Sequence, residues 1–149
     1  MSRFAFALVA VVTVSLSLSM AACGGGKEYW HAQAVTSPDV TVTPTQIWVG
    51  GKKLWVRLNV QNGSKGTLIV NRDAIVAHTA TGQTVGRASG AYTQHEPYVI
   101  MPGSFHPVYV EFEEQGFNWR EAGGVQIDLG KAIMKDGQPV VAPPLAANP

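Results

Sequence analysis

The sequence predicts an all-β fold, an antiparallel sandwich or barrel, on three observations. Apolar and polar residues alternate with period two through Leu54 to Gln61, Val108 to Phe112 and Val125 to Leu129. Clusters of Gly, Pro, Asn and Asp punctuate these runs at short intervals, as turns between strands require. No segment after residue 23 sustains a helical period.

Taken in order, the chain opens with a short positive segment, Met1-Ser2-Arg3, followed by an uncharged run from Phe4 to Ser19 that ends in small residues. That is the grammar of a secretory signal peptide. The apolar stretch Phe4 to Met20 is 17 residues long with four hydroxyl residues in its second half, short of the roughly 20 apolar residues a membrane span needs. Residues 1–22 therefore read as a cleaved leader; an uncleaved membrane anchor, or cleavage after Ala22 that leaves Cys23 as a free thiol, are the competing readings. Residues 23–44, with the Gly24-Gly25-Gly26 triplet, Thr36-Ser37-Pro38-Asp39 and Thr43-Pro44, read as a flexible tether. Within it, Tyr29-Trp30-His31 supplies aromatic bulk that suits either an interface contact or packing on the flank of the domain.

Residues 45–142 carry the strand pattern. Leu54, Val56, Leu58 and Val60 share one face, with Trp55, Arg57, Asn59 and Gln61 on the other. Asn62-Gly63-Ser64-Lys65-Gly66 supplies turn chemistry, predicting a hairpin with Thr67 to Asn71 as the return strand. Ala74 to Thr79 follows, then a turn at Ala80-Thr81-Gly82-Gln83 and a short segment around Val85. Pro97 to Met101 and Pro107 to Phe112 flank a Pro102-Gly103 turn, and the apolar run Val99-Ile100-Met101 places Met101 in the core. Gly116 to Ala122 allows one or two helical turns with Asn118 as cap. Met134 to Val141 forms a closing hairpin around Asp136-Gly137. Residues 143–149, with three prolines, are expected to be irregular.

Removing residues 1–22 of 149 leaves 127, the size of one domain. Loss of Arg3 from the eleven Lys and Arg leaves ten, balancing the ten Asp and Glu. A neutral chain with scattered cations lacks the basic stripe of a nucleic-acid binder, so no nucleic-acid partner is expected.

The run Met20-Ala21-Ala22-Cys23-Gly24 resembles the lipobox of bacterial lipoproteins. The resemblance implies cleavage before Cys23, a diacylglycerol thioether on its sulfur, and membrane lipid as a partner. It also implies residence in the cell envelope, at the outer membrane if the host has two, because Gly24 rather than Asp follows the cysteine. A second resemblance covers residues 45 to 130. Leu54-Trp55-Val56-Arg57-Leu58-Asn59-Val60-Gln61-Asn62, the Ile75 strand with Gly82, and Ile100-Met101-Pro102-Gly103 leading to Val108-Tyr109-Val110-Glu111-Phe112 look like the small immunoglobulin-like domains of exported bacterial proteins. That resemblance implies an immunoglobulin-like β-sandwich that binds or scaffolds an envelope protein partner, without catalysis.

Direct signs of chemistry are few. There is no phosphate-cradling loop, Gly103-Ser104-Phe105 lacks a nucleophile elbow, and Cys23 has no second cysteine with which to hold zinc. Neither catalytic residue nor metal site nor cofactor is expected. Glu111, Glu113 and Glu114 form the densest acidic cluster, read as a solvated strand end. His31, His78, His95 and His106 with Met101 offer ligands suited to copper, but lack the His-x-Met pair of the exported copper chaperones; copper binding is the first alternative, a small hydrolase the second. The segment Gly86 to Pro97, with Arg87, Tyr92, Gln94, His95 and Glu96, is the expected partner-binding loop, being long and rich in contact-forming side chains.

Overall fold

A computed structural model of the chain describes residues 26–88 and 97–149. These residues form antiparallel strands: β1 (Glu28–Ala32), β2 (Val35–Thr36), β3 (Val40–Gly50), β4 (Lys53–Asn62), β5 (Leu68–Val70), β6 (Val76–Thr79), β7 (Thr84–Val85), β8 (Tyr98–Ile100), β9 (Phe105–Glu113), β10 (Val125–Asp128), β11 (Ile133–Lys135), β12 (Gln138–Pro139) and β13 (Leu145–Asn148). The helical content of the described residues is two short 3-10 turns, Arg72–Ala74 and Trp119–Glu121.

The larger sheet runs β7-β6-β10-β13-β1-β3-β4-β9, with β2 added beside β3. Its two ends meet: Arg87, just past β7, bridges Phe112 of β9, and the Ala88 amide donates to the Glu111 carbonyl at 2.8 Å. The sheet is therefore nearly closed into a barrel, which removes most of its exposed edge. A smaller sheet, β12-β11-β5-β8, contributes Leu68, Val70, Ile100 and Ile133 to the same core as Val56, Leu58, Val110 and Phe112.

Alternation in β4 and β9 is what the structure reproduces best. Leu54, Val56, Leu58 and Val60 are buried, as are Val108, Val110 and Phe112 opposite them. The Asp136-Gly137 turn joins β11 to β12 with φ of 51° and 76°, the two positive values that a type I′ hairpin requires. Asn118 caps its turn by accepting from the Arg120 amide at 3.2 Å. Trp119 in that turn is fully buried; its indole donates to the Lys52 carbonyl at 3.1 Å and its ring meets Phe117 edge-on. The turn thus plugs the end of the barrel beneath the β3–β4 connection.

Four expectations need correction. Residues 28–44 are not a tether: β1 pairs with β3 and β13, and Trp30 is buried in the core. Pro44 sits at the register shift of β3, between the stretches that β1 and β2 cover, where a missing amide costs no ladder bond. Residues 143–149 are not irregular, since β13 lies between β10 and β1. The segment after Asn62 does not turn back on β4; β5 crosses to the smaller sheet and pairs with β8 and β11. Strands β8 and β9 flank the Pro102-Gly103 turn without pairing with each other, and Met101 is 59% exposed rather than in the core.

Candidate functional site

Period-two alternation that buries one face of β3, β4 and β9 turns an aromatic face outward. Hairpin register sets Trp48 directly opposite Trp55, flanked by Tyr29 on β1 and Glu111 on β9. The two indoles stack with centroids 5.7 Å apart and planes 17° from parallel. Lys27 places its ammonium 5.1 Å from the Trp48 ring centre and 5.6 Å from that of Trp55, a favourable position over two negative π faces. Further along the same face, the Arg57 guanidinium lies 4.7 Å from the Tyr109 ring centre.

The polar border of this face is built by Glu111. Its two oxygens accept from Lys53 at 2.5 Å and from the Trp55 indole at 3.2 Å, while Glu113 lies 3.3 Å from the same ammonium. The hydrogen bond to Glu111 first, and that to Glu113 second, raise the Lys53 pKa above its ordinary 10.5. Stabilisation from such a raised pKa is complete below the ordinary lysine value and lost only as pH rises through the higher folded one. The cation is thus retained throughout the neutral range. The expected acidic cluster is in this sense half engaged: Glu111 is built into the face.

A second face belongs to the smaller sheet. Pro139 is opposite Met134, Met134 opposite Ile69, and Ile69 opposite Val99, so four apolar side chains cross the sheet in one row. Ile69 is 42% and Val99 61% exposed. Beside β12 runs a groove of about 450 Å³ bordered by Ser37, Asp39, Lys135 and Val141, across which Lys135 pairs with Asp39 at 2.9 Å.

Of the residues expected to contact a partner, Arg87 is described, and its side chain is 7% exposed, donating to Asp73. It serves barrel closure more than surface display. Tyr92, Gln94, His95, Glu96 and Cys23 lie outside the described residues. His31, His78 and His106 sit on β1, β6 and β9; His78 bonds Thr84 at 2.9 Å, and His106 stacks on Tyr98 with centroids 4.1 Å apart. Among the described residues no group of three or more His, Cys, Asp or Glu is placed to hold a metal, and no helix is long and apolar enough to cross a membrane.

The stacked Trp pair escaped sequence reasoning, although a signal existed. Reading Gly50-Gly51-Lys52-Lys53 as a two-residue hairpin turn would have set Trp48 against Trp55. The Pro139–Met134–Ile69–Val99 row gave no such signal, because it depends on β5 leaving β4.

No protein-family model matches the sequence, and no curated protein matches it. Among solved structures, the fold is similar to the crystal structure of a functionally unknown protein from Listeria monocytogenes EGD-e. That chain is 15% identical, with 81% of this chain and 87% of the other aligned at a TM-score of 0.49.

Proposed function

We propose that the protein is a lipid-anchored envelope lipoprotein whose immunoglobulin-like β-sandwich is a noncatalytic binding module for another envelope protein. Two antiparallel sheets sharing one core support the sandwich reading, and the run from Met20 to Gly24 supports the anchor. The observation that carries the binding role is the outward apolar row Pro139, Met134, Ile69 and Val99. Scattered apolar side chains on a surface need no explanation, whereas a contiguous row on one sheet face marks a contact surface. Its outer strand β8 pairs on one side alone within the smaller sheet.

Two experiments test the halves of this reading separately. Cys23→Ser should abolish metabolic acyl labelling and release the domain from membranes, with thermal stability unchanged because Cys23 precedes every strand of the described residues. Persistent labelling would refute the anchor. For the binding role, a photo-crosslinking residue at position 99 in cells should capture one protein that the same residue at exposed Glu121 does not, and Ile69→Glu should suppress that capture. Recovery of lipid and abundant membrane proteins alone, equally from both positions, would remove the binding module.

A further inference from the structure

Gly26 and Lys27, the first described residues, lie at the same end of the domain as the aromatic face. Cys23 is three residues from Gly26, a reach of at most about 11 Å even when fully extended. Gly26 is tied down, its carbonyl accepting from the Arg120 guanidinium in the barrel-end plug. Lys27 is held over Trp48 and Trp55, and Glu28 enters the sheet opposite Val49. The tether is therefore far shorter than the 55–60 Å or so that an extended chain from Gly24 to Val40 would allow, because the chain is fixed to the domain from Gly26 onward.

Such a short link brings the β3–β4 turn close to the lipid. The head-group layer on each side of a bilayer is about 5–8 Å thick, comparable to the reach just given. Trp48 and Trp55 pair two residues back from the turn positions Gly50 and Lys53, about 7 Å along the strands. Tyr29 beside them is 58% exposed, and Lys52 at the turn is exposed. Trp and Tyr are the side chains that favour the boundary between hydrocarbon and water, and lysines beside them can reach toward lipid phosphates.

We infer that the face formed by Tyr29, Trp48 and Trp55, with Lys27 and Lys52, docks in the head-group layer of the membrane that holds Cys23. The domain lies on the bilayer by this end and turns the apolar row of the smaller sheet to a protein partner. This inference rests on the lipid anchor proposed above.

The test uses the lipidated full chain reconstituted into phosphatidylethanolamine and phosphatidylglycerol vesicles, with and without lipid brominated near the head group. Tryptophan emission should be quenched by the brominated lipid, and reconstitution should shield the protein from aqueous acrylamide. Trp48→Phe/Trp55→Phe, which retains buried Trp30 and Trp119, should lose the lipid-dependent quenching. The acrylamide measurement on the unaltered protein decides the matter if the double variant folds poorly. Acyl labelling of the same sample separates the two proposals. Labelled protein whose emission ignores brominated lipid and remains open to acrylamide overturns docking and leaves the anchor standing; absent labelling overturns both.

Discussion

Deleting residues 143–149 is expected to abolish the cooperative unfolding transition of the domain. Strand β13 occupies an interior position of the larger sheet, with Leu145 opposite Ile127, and Ala147 opposite both Val125 and Ala32. Its removal strips the ladder from β10 on one side and from β1 on the other. Leu145 and Ala147 are fully buried, so the breach would expose core as well as backbone. Lost ladder bonds at about 0.5–1.5 kcal/mol each, added to the lost burial of Leu145 at about 2–5 kcal/mol, are comparable to the roughly 5–15 kcal/mol that holds a domain folded. Removing Pro149 alone, which is exposed and lies beyond β13, should leave the transition intact. Leu145→Ala should lie between these extremes, at about 2–5 kcal/mol. Chemical denaturation followed by tryptophan emission checks all three; a 143–149 deletion that still unfolds cooperatively near the wild-type midpoint would contradict the placement of β13.

The contrast with the sequence expectation for this segment has a physical origin. Strands β4 and β9 are legible because each alternates over enough residues for period two to stand out, β10 because the large apolar Val125, Ile127 and Leu129 alternate with Gln126 and Asp128, and the Asp136-Gly137 turn because its backbone demands those residue types. Strand β13 is Leu-Ala-Ala-Asn, following Pro143-Pro144, and β1 is Glu-Tyr-Trp-His-Ala. Neither run is long or apolar enough to announce itself, and each becomes a strand through partners elsewhere in the chain. His31 pairs with Asn148, a contact that no local pattern encodes. The aromatic face is half legible: alternation puts Trp55 on the face opposite Leu54 and Val56, but its stacking partner is set by the register of the β3–β4 hairpin. The remainder of the candidate surface depends on which sheet β5 joins, and that is decided at Asn62.

Asn62→Ala should lower stability by about 3–5 kcal/mol, among the largest effects of any single substitution in the domain. Asn62 has no exposed surface, and its side chain is fully employed. Its amide nitrogen donates to the carbonyls of Gly66 and Ile100, each at 2.8 Å, and its oxygen accepts from the Ser64 amide at 2.9 Å and the Ser64 hydroxyl at 2.8 Å. Its main chain accepts from Gly103 and donates to Ser104, both at 2.9 Å. One residue thus fastens the end of β4 to the loop that crosses between sheets and to the turn that carries β8 into β9. A hairpin return along β4 would have satisfied these groups with ladder bonds; here the side chain satisfies them instead, which is how turn chemistry at Asn62 produces a change of sheet. Asn62→Asp sharpens the prediction. It retains both acceptor contacts with Ser64 but directs a carboxylate at two carbonyl oxygens in a fully buried site, so its pKa is raised above the unfolded value. A carboxylate with a raised folded pKa favours the folded state most below the unfolded pKa, about 3.9, and that advantage is lost as pH rises through the folded value. Relative to wild type, the urea midpoint of Asn62→Asp should fall as pH rises above about 3.9, whereas the deficit of Asn62→Ala should not change with pH. A pH-independent Asp variant, or an Ala variant within about 0.5 kcal/mol of wild type, would show that the crossing is held by other contacts.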